Sequence, residues 1–123
     1  MIIDHIRDME EFKKLYDARP MPSPYDYEWL IKNPCLYCFY DDKLLGFITI
    51  QYEEVENYGR VLTLSGVSIP KNMPNIITAI ITVCKAFNED MYSYTPLKEA
   101  GLVLRKAGFK KISDKTYRRL KNG

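Results

Sequence analysis

Few residues in this chain can do chemistry, and their spacing narrows what that chemistry is. Cys35-Leu36-Tyr37-Cys38 has the CxxC spacing of metal and redox sites. The surrounding pattern reads as a strand, where residues three apart leave opposite faces, so the two thiols cannot close on one ion. A thioredoxin-type pair would stand at a helix start, whereas Pro34 here precedes a strand. His5 is the only histidine and Cys84 the only other cysteine, so no zinc site is expected. The three thiols read instead as buried or half-buried. Nucleophile–base chemistry has as little to work with, since neither Gly-x-Ser-x-Gly nor a Walker sequence occurs.

The backbone is more informative. In Arg60–Ile69, Leu62 and Leu64 are apolar at period two, with Thr63 and Ser65 on the opposite face. After Gly66 the hydrophobes are Val67 and Ile69, so the phase slips by one residue. A slip at a glycine is what a β-bulge produces. A bulge here is expected to splay this strand from the next and turn backbone polar groups into a cleft.

The elements that would hold this feature follow from periodicity. Ile2–Ile6 reads as a first strand. Asp8, three residues before Glu11, opens a first helix to Ala18, with Met9, Phe12, Leu15 and Tyr16 at helical spacing. The proline-rich run 19–24 breaks it, and Ser23-Pro24 predicts the cap and first residue of a second helix over Tyr25–Lys32. Cys35–Tyr40 and Leu44–Tyr52 form a hairpin about Asp41-Asp42-Lys43, and Glu53–Gly59 reads as the turn into the third strand of a meander. Ile76–Phe87 predicts a nearly buried helix, Met91–Tyr94 a short strand, and Leu97–Ala107 a helix ended by Gly108 in the left-handed conformation. Lys110–Leu120 is extended, with a bend near Asp114. The order is β-α-α-β-β-β-α-β-α-β.

Length and charge set the frame. A chain of 123 residues fits one domain. No apolar run approaches the roughly 20 residues that span a bilayer. The start Met1-Ile2-Ile3-Asp4-His5 has no basic segment before an apolar one, so no secretory signal is expected. Three cysteines at unremarkable spacing point to reduced thiols and a cytoplasmic setting. The net charge of +2 divides unevenly, with 12 acids and 7 bases in residues 1–60 against 4 and 11 in residues 61–123. The C-terminal bases could attract a phosphorylated ligand or an acidic partner, or simply form a solvated face. They carry no RNP, KH or helix-turn-helix signature, so nucleic acid is not the expected partner.

The element order, together with Leu104-Arg105-Lys106-Ala107-Gly108-Phe109, resembles the GNAT superfamily of N-acyltransferases. Its members close their last helix on a Tyr-x-Lys-x-Gly-Phe-like sequence before a final strand. The resemblance implies an α/β (α+β) fold in a single domain over residues 1–123: a mixed, mostly antiparallel central sheet flanked by about four helices. It implies acyl-CoA, acetyl-CoA in particular, held by a bulge in the fourth strand and by the start of the following helix. Here those are Gly66, Val67, Ser68 and Ile69, then Lys71, Asn72, Asn75 and Ile76. Bulge amides can stabilise charge developing on a thioester carbonyl, and a helix N-terminus suits a pyrophosphate.

Two departures stand out. The family's phosphate loop reads Arg/Gln-x-x-Gly-x-Gly/Ala; aligned on Pro70, this chain has Met73 at the basic position, then Pro74 and Ile76, with Thr78 further in, and no glycine. The tyrosine that many members use as general acid is replaced by Leu104. Tyr94, or Tyr92, is the nearest substitute, with strand alternation expected to turn only one of them to the cleft. Glu53, with Glu54 beside it, is the nearest carboxylate for a general base, although both read as turn charges. The resemblance implies an acyl-CoA-dependent N-acyltransferase acting on a small-molecule or protein amine. Its rival is an inactive module of the same fold, of the kind viruses and mobile elements reuse for binding or assembly. A homodimer or a protein partner is compatible with either.

Overall fold

The computed structural model describes residues 2–69 and 76–122, the Ile76 side chain excepted. Its strands are Ile2–Asp4 (β1), Leu36–Tyr40 (β2), Leu44–Val55 (β3), Gly59–Ser68 (β4), Met91–Tyr94 (β5), Lys110–Lys111 (β6) and Thr116–Arg119 (β7). Its helices are Met9–Ala18 (α1), Tyr27–Ile31 (α2), Ile76–Ala86 (α3) and Lys98–Lys106 (α4). The strands form one mixed sheet in the order β1-β2-β3-β4-β5-β7-β6. The β1/β2, β2/β3, β5/β7 and β6/β7 pairs are antiparallel, while β4 and β5 run parallel with Thr63 opposite Tyr92. This is the α+β, mostly antiparallel architecture expected from the element order.

Two compact units divide the chain, Met1–Ile50 with Gly66–Met73 and Gln51–Ser65 with Pro74–Gly123. In the first, Leu36, Cys38 and Tyr40 alternate on β2 and leave one face, where they meet Phe47, Phe12 of α1 and Leu30 of α2 in a buried cluster. The Phe12 and Phe47 rings lie 5.2 Å apart. Asp8 caps α1 as its spacing predicts, accepting the amides of Glu10 and Glu11. Glu11 does not complete the capping box; its Oε2 accepts the Leu44 N–H at 3.0 Å and fastens α1 to β3.

The second helix is shorter than predicted. Its cap is Asp26, whose carboxylate accepts the Trp29 amide, and not Ser23. The Ser23–Pro24 peptide is cis, and the Tyr25 N–H donates to the Pro22 carbonyl, so residues 22–25 form a turn ahead of the helix.

In the second unit, Asn57 and Gly59 take positive φ of 72° and 76° in the β3–β4 turn. The turn is tighter than predicted, because β3 continues through Glu53 and Glu54 to Val55. Helix α3 buries Ala79, Ile80, Val83 and Cys84 but exposes Thr78, Thr82 and Lys85, so it is amphipathic and not nearly buried. Helix α4 closes as the Ala-Gly-Phe sequence predicts. Gly108 has φ 95°, its N–H reaches the Arg105 carbonyl, and the Phe109 N–H reaches that of Leu104. This is a Schellman cap with Leu104 and Phe109 buried beneath it. The buried Arg119 adds its Nε–H to the Ala107 carbonyl at 3.1 Å, placing a cation where the helix dipole favours one. The last stretch is a hairpin, with β6 at the sheet edge and β7 between it and β5, where one bent strand was expected.

Candidate functional site

Gly66 takes φ +55°, the left-handed conformation of a bulge glycine. Ser65 donates to Glu53 on β3, while a Cβ added to Gly66 would point at Thr49, also on β3, 3.0 Å from its Oγ1. The burial pattern corrects one part of the expectation. Val67 is exposed at 37% and Ser68 is buried, so Val67 does not carry the core phase beyond the glycine. The outgoing chain instead presses on Gly46 of β3, where a Cβ would meet the Ser68 carbonyl oxygen at 2.5 Å. On the other side of the bulge, the Tyr25 ring would lie 3.2 Å from a Gly66 Cβ. Asp26, by capping α2, fixes Trp29, which packs edge-on against Tyr25 at 5.2 Å.

Glu53 stands in β3, not in the turn. It is half-buried, and both of its hydrogen bonds among the described residues fall on Oε1, from Gln51 Nε2 and from Ser65 Oγ, each at 2.9 Å. Glu54, on the opposite face, is exposed. Sequence reasoning missed Gln51, Ser65, Thr49 and Tyr25. The i, i+2 pair Gln51/Glu53 and the serine directly before Gly66 were available as signals.

Tyr92 and Tyr94 do not divide between faces as expected; two residues apart on β5, they share one. Their position along the strand separates them. Tyr92 is 8% exposed, its ring 5.3 Å from that of Tyr58, whereas Tyr94 at the strand end is 63% exposed. Between them, the buried Ser93 hydroxyl donates to the Leu64 carbonyl at 2.9 Å, one residue past the Thr63–Tyr92 pair. Leu104 is buried in the core, so no proton donor stands at that helical position.

Of the predicted phosphate-end residues, Lys71, Asn72 and Asn75 lie outside the described residues, and Ile76 opens α3. A cavity of about 370 Å³ lies elsewhere, at the start of β4, between Tyr52, Arg60, Leu62, Glu89, Tyr92 and Lys121. Tyr52 donates to Glu89 there, and that bond raises the tyrosine pKa. Among the described residues no three His, Cys, Asp or Glu side chains group to hold a metal, and no helix is long and apolar enough to cross a membrane.

No family model matches the chain, and no curated protein sequence does. Solved structures do match. The Bacillus subtilis N-acetyltransferase YlbP, in complex with coenzyme A, superposes with a TM-score of 0.63 at 17% identity, covering 97% of this chain and 95% of that one. An N-acetyltransferase from Staphylococcus aureus Mu50 gives 0.66 at 16% identity, with 100% of each chain covered. The NatB acetyltransferase complex bound to CoA and MES gives 0.64 at 13% identity, covering 98% of this chain and 99% of that one. At these identities the likeness establishes the fold alone, one that this chain shares with these acetyltransferases.

Proposed function

We propose that this chain, acting as one domain over residues 1–123, is an acyl-CoA-dependent N-acyltransferase that moves a small acyl group, acetyl first of all, to an amine. The observation that carries the reading is the left-handed Gly66 inside β4, in a fold whose solved neighbours are acetyltransferases, two of them bound to coenzyme A. The backbone of Gly66–Ile69 receives the thioester carbonyl, its N–H groups meeting the negative charge that develops on the oxygen. Lys71, Asn72, Asn75 and the Ile76 amide are assigned to the phosphate end, Lys71 supplying charge in place of the missing glycine cradle.

Glu53 takes the proton from the substrate ammonium, directly or through one water, so that the free amine attacks the carbonyl carbon. As the C–N bond forms and the C–S bond breaks, Tyr94 gives its proton to the departing thiolate. Its exposure at the end of β5 leaves the hydroxyl open to that exchange. Leu104 cannot serve, so Tyr94 carries the role alone. Positioning of amine against thioester supplies much of the remaining rate.

The test is acetyl transfer to a panel of primary amines, amino acids and peptide N-termini, read by mass spectrometry. Transfer by the protein as it stands, lost in Gly66→Val, supports the reading. Absence of transfer to every acceptor, with acetyl-, propionyl- and succinyl-CoA alike, contradicts it.

A further inference from the structure

We infer that Ser65 and Gln51 are positioning residues for Glu53, holding one carboxylate oxygen so that the other is presented to the reacting amine; the inference rests on the reading of Glu53 just given. Both donors converge on Oε1 at 2.9 Å. A carboxylate has two equivalent oxygens and a freely turning χ3, so two donors on one oxygen fix the plane of the group and leave Oε2 as the acceptor. The two donors come from different strands. Gln51 precedes Glu53 by two residues on the same face of β3, and Ser65 reaches across from β4.

Ser65 is also the residue bonded to Gly66. Its hydroxyl reaches Glu53 on β3 at 2.9 Å. A surface glutamate serving solubility needs neither donor. Half-burial and double support on one oxygen are what orienting a proton acceptor requires.

The experiment is a double-mutant cycle on the full chain, with kcat and the KM for acetyl-CoA measured for Glu53→Gln, Ser65→Ala and the pair. Glu53→Gln is expected to lower kcat by about 100-fold, within the range of general-base losses. Ser65→Ala alone is expected to lower kcat by about 10-fold with the acetyl-CoA KM unchanged, and Ser65→Thr, which keeps the hydroxyl, to restore most of the rate. The double variant should be no slower than Glu53→Gln, because Ser65 acts only through that carboxylate. Gln51→Leu should couple to Glu53→Gln in the same way, which guards against a Ser65 variant that folds poorly.

Ser65→Ala and Gln51→Leu at the parent rate, with Glu53→Gln impaired, would overturn the inference and leave Glu53 as base. A further loss from Ser65→Ala in the Glu53→Gln background would overturn it too, by showing a structural role. Glu53→Gln at the parent rate removes both the base and its support while acyl transfer stands. No transfer by any form, the parent included, ends the functional reading itself.

Discussion

A Cβ placed on Gly46 would lie 2.5 Å from the Ser68 carbonyl oxygen and 3.2 Å from Ile69 Cα. A glycine inside a strand weakens it by roughly 0.5–1 kcal/mol relative to alanine, so its presence at mid-β3 needs a reason. The reason is the outgoing end of the bulge. Gly46→Ala is therefore expected to lower stability by about 1–3 kcal/mol, as overpacking does, despite the better strand residue. Chemical unfolding measures this, and an unchanged or raised midpoint would show that the two strands are not in contact.

Gly66 is constrained by its backbone more than by its neighbours. With φ at +55°, Gly66→Ala is expected to cost about 1–2 kcal/mol, and the Thr49 hydroxyl at 3.0 Å adds to that. Gly66→Asn should cost less by its φ, since asparagine enters the left-handed region more readily. Equal losses for alanine and asparagine in thermal unfolding would mean that contact, not backbone conformation, dictates the glycine.

The proposed role of Tyr94 can be tested apart from the helical position of Leu104. Tyr94→Phe, at an exposed site, should leave stability within about 0.5 kcal/mol of the parent while lowering kcat by about 10-fold or more. Adding Leu104→Tyr to that variant should not restore activity. Leu104 is buried, and a tyrosine there overpacks the core by about 1–3 kcal/mol. Full activity in Tyr94→Phe would remove Tyr94 from the mechanism.

Burial pushes the Cys38 thiol up to about 12 and that of Cys84 up to about 11, from an ordinary 9.0. The unfolded chain then gives up these protons at lower pH than the folded one, so it binds fewer protons above pH 9. Stability should fall as pH rises from about 9 toward 11 and 12. Burial raises Tyr37 and Tyr40 in the same direction, so Cys38→Ala with Cys84→Ala should reduce this alkaline slope without abolishing it. Alkylation of the native protein should reach the half-buried Cys35 well before the other two. Equal rates at all three would contradict their burial.

How much of this was legible follows from which interactions are local. Asp8 caps α1 through amides two and three residues away, and Gly108 ends α4 through its own last turn, so short-range rules locate both. Met91–Tyr94 is bounded by polar and proline residues, and the sequence predicts its ends to the residue. The failures share a long-range cause. Glu11 looks like the far half of a capping box, yet its best partner is the Leu44 amide 33 residues on. Glu53 reads as a turn charge from sequence because one of its two donors, Ser65, lies 12 residues away on another strand. The final hairpin reads from sequence as one bent strand because β6 has only two residues, too few to show a period. At the site, Gly66 announced itself through a phase slip, although the exposed Val67 shows that the hydrophobic signal and the true core phase differ there.

The most direct measurement is thermal unfolding of the intact protein with increasing acetyl-CoA, alongside Gly66→Val. A ligand that binds only the native state adds about 2.7 kcal/mol of stability at 100 times its Kd. The predicted result is a saturable rise in midpoint for the parent protein and none for Gly66→Val. A parent midpoint that stays fixed up to millimolar acetyl-CoA, or one that rises equally in the variant, would contradict a thioester site at the bulge.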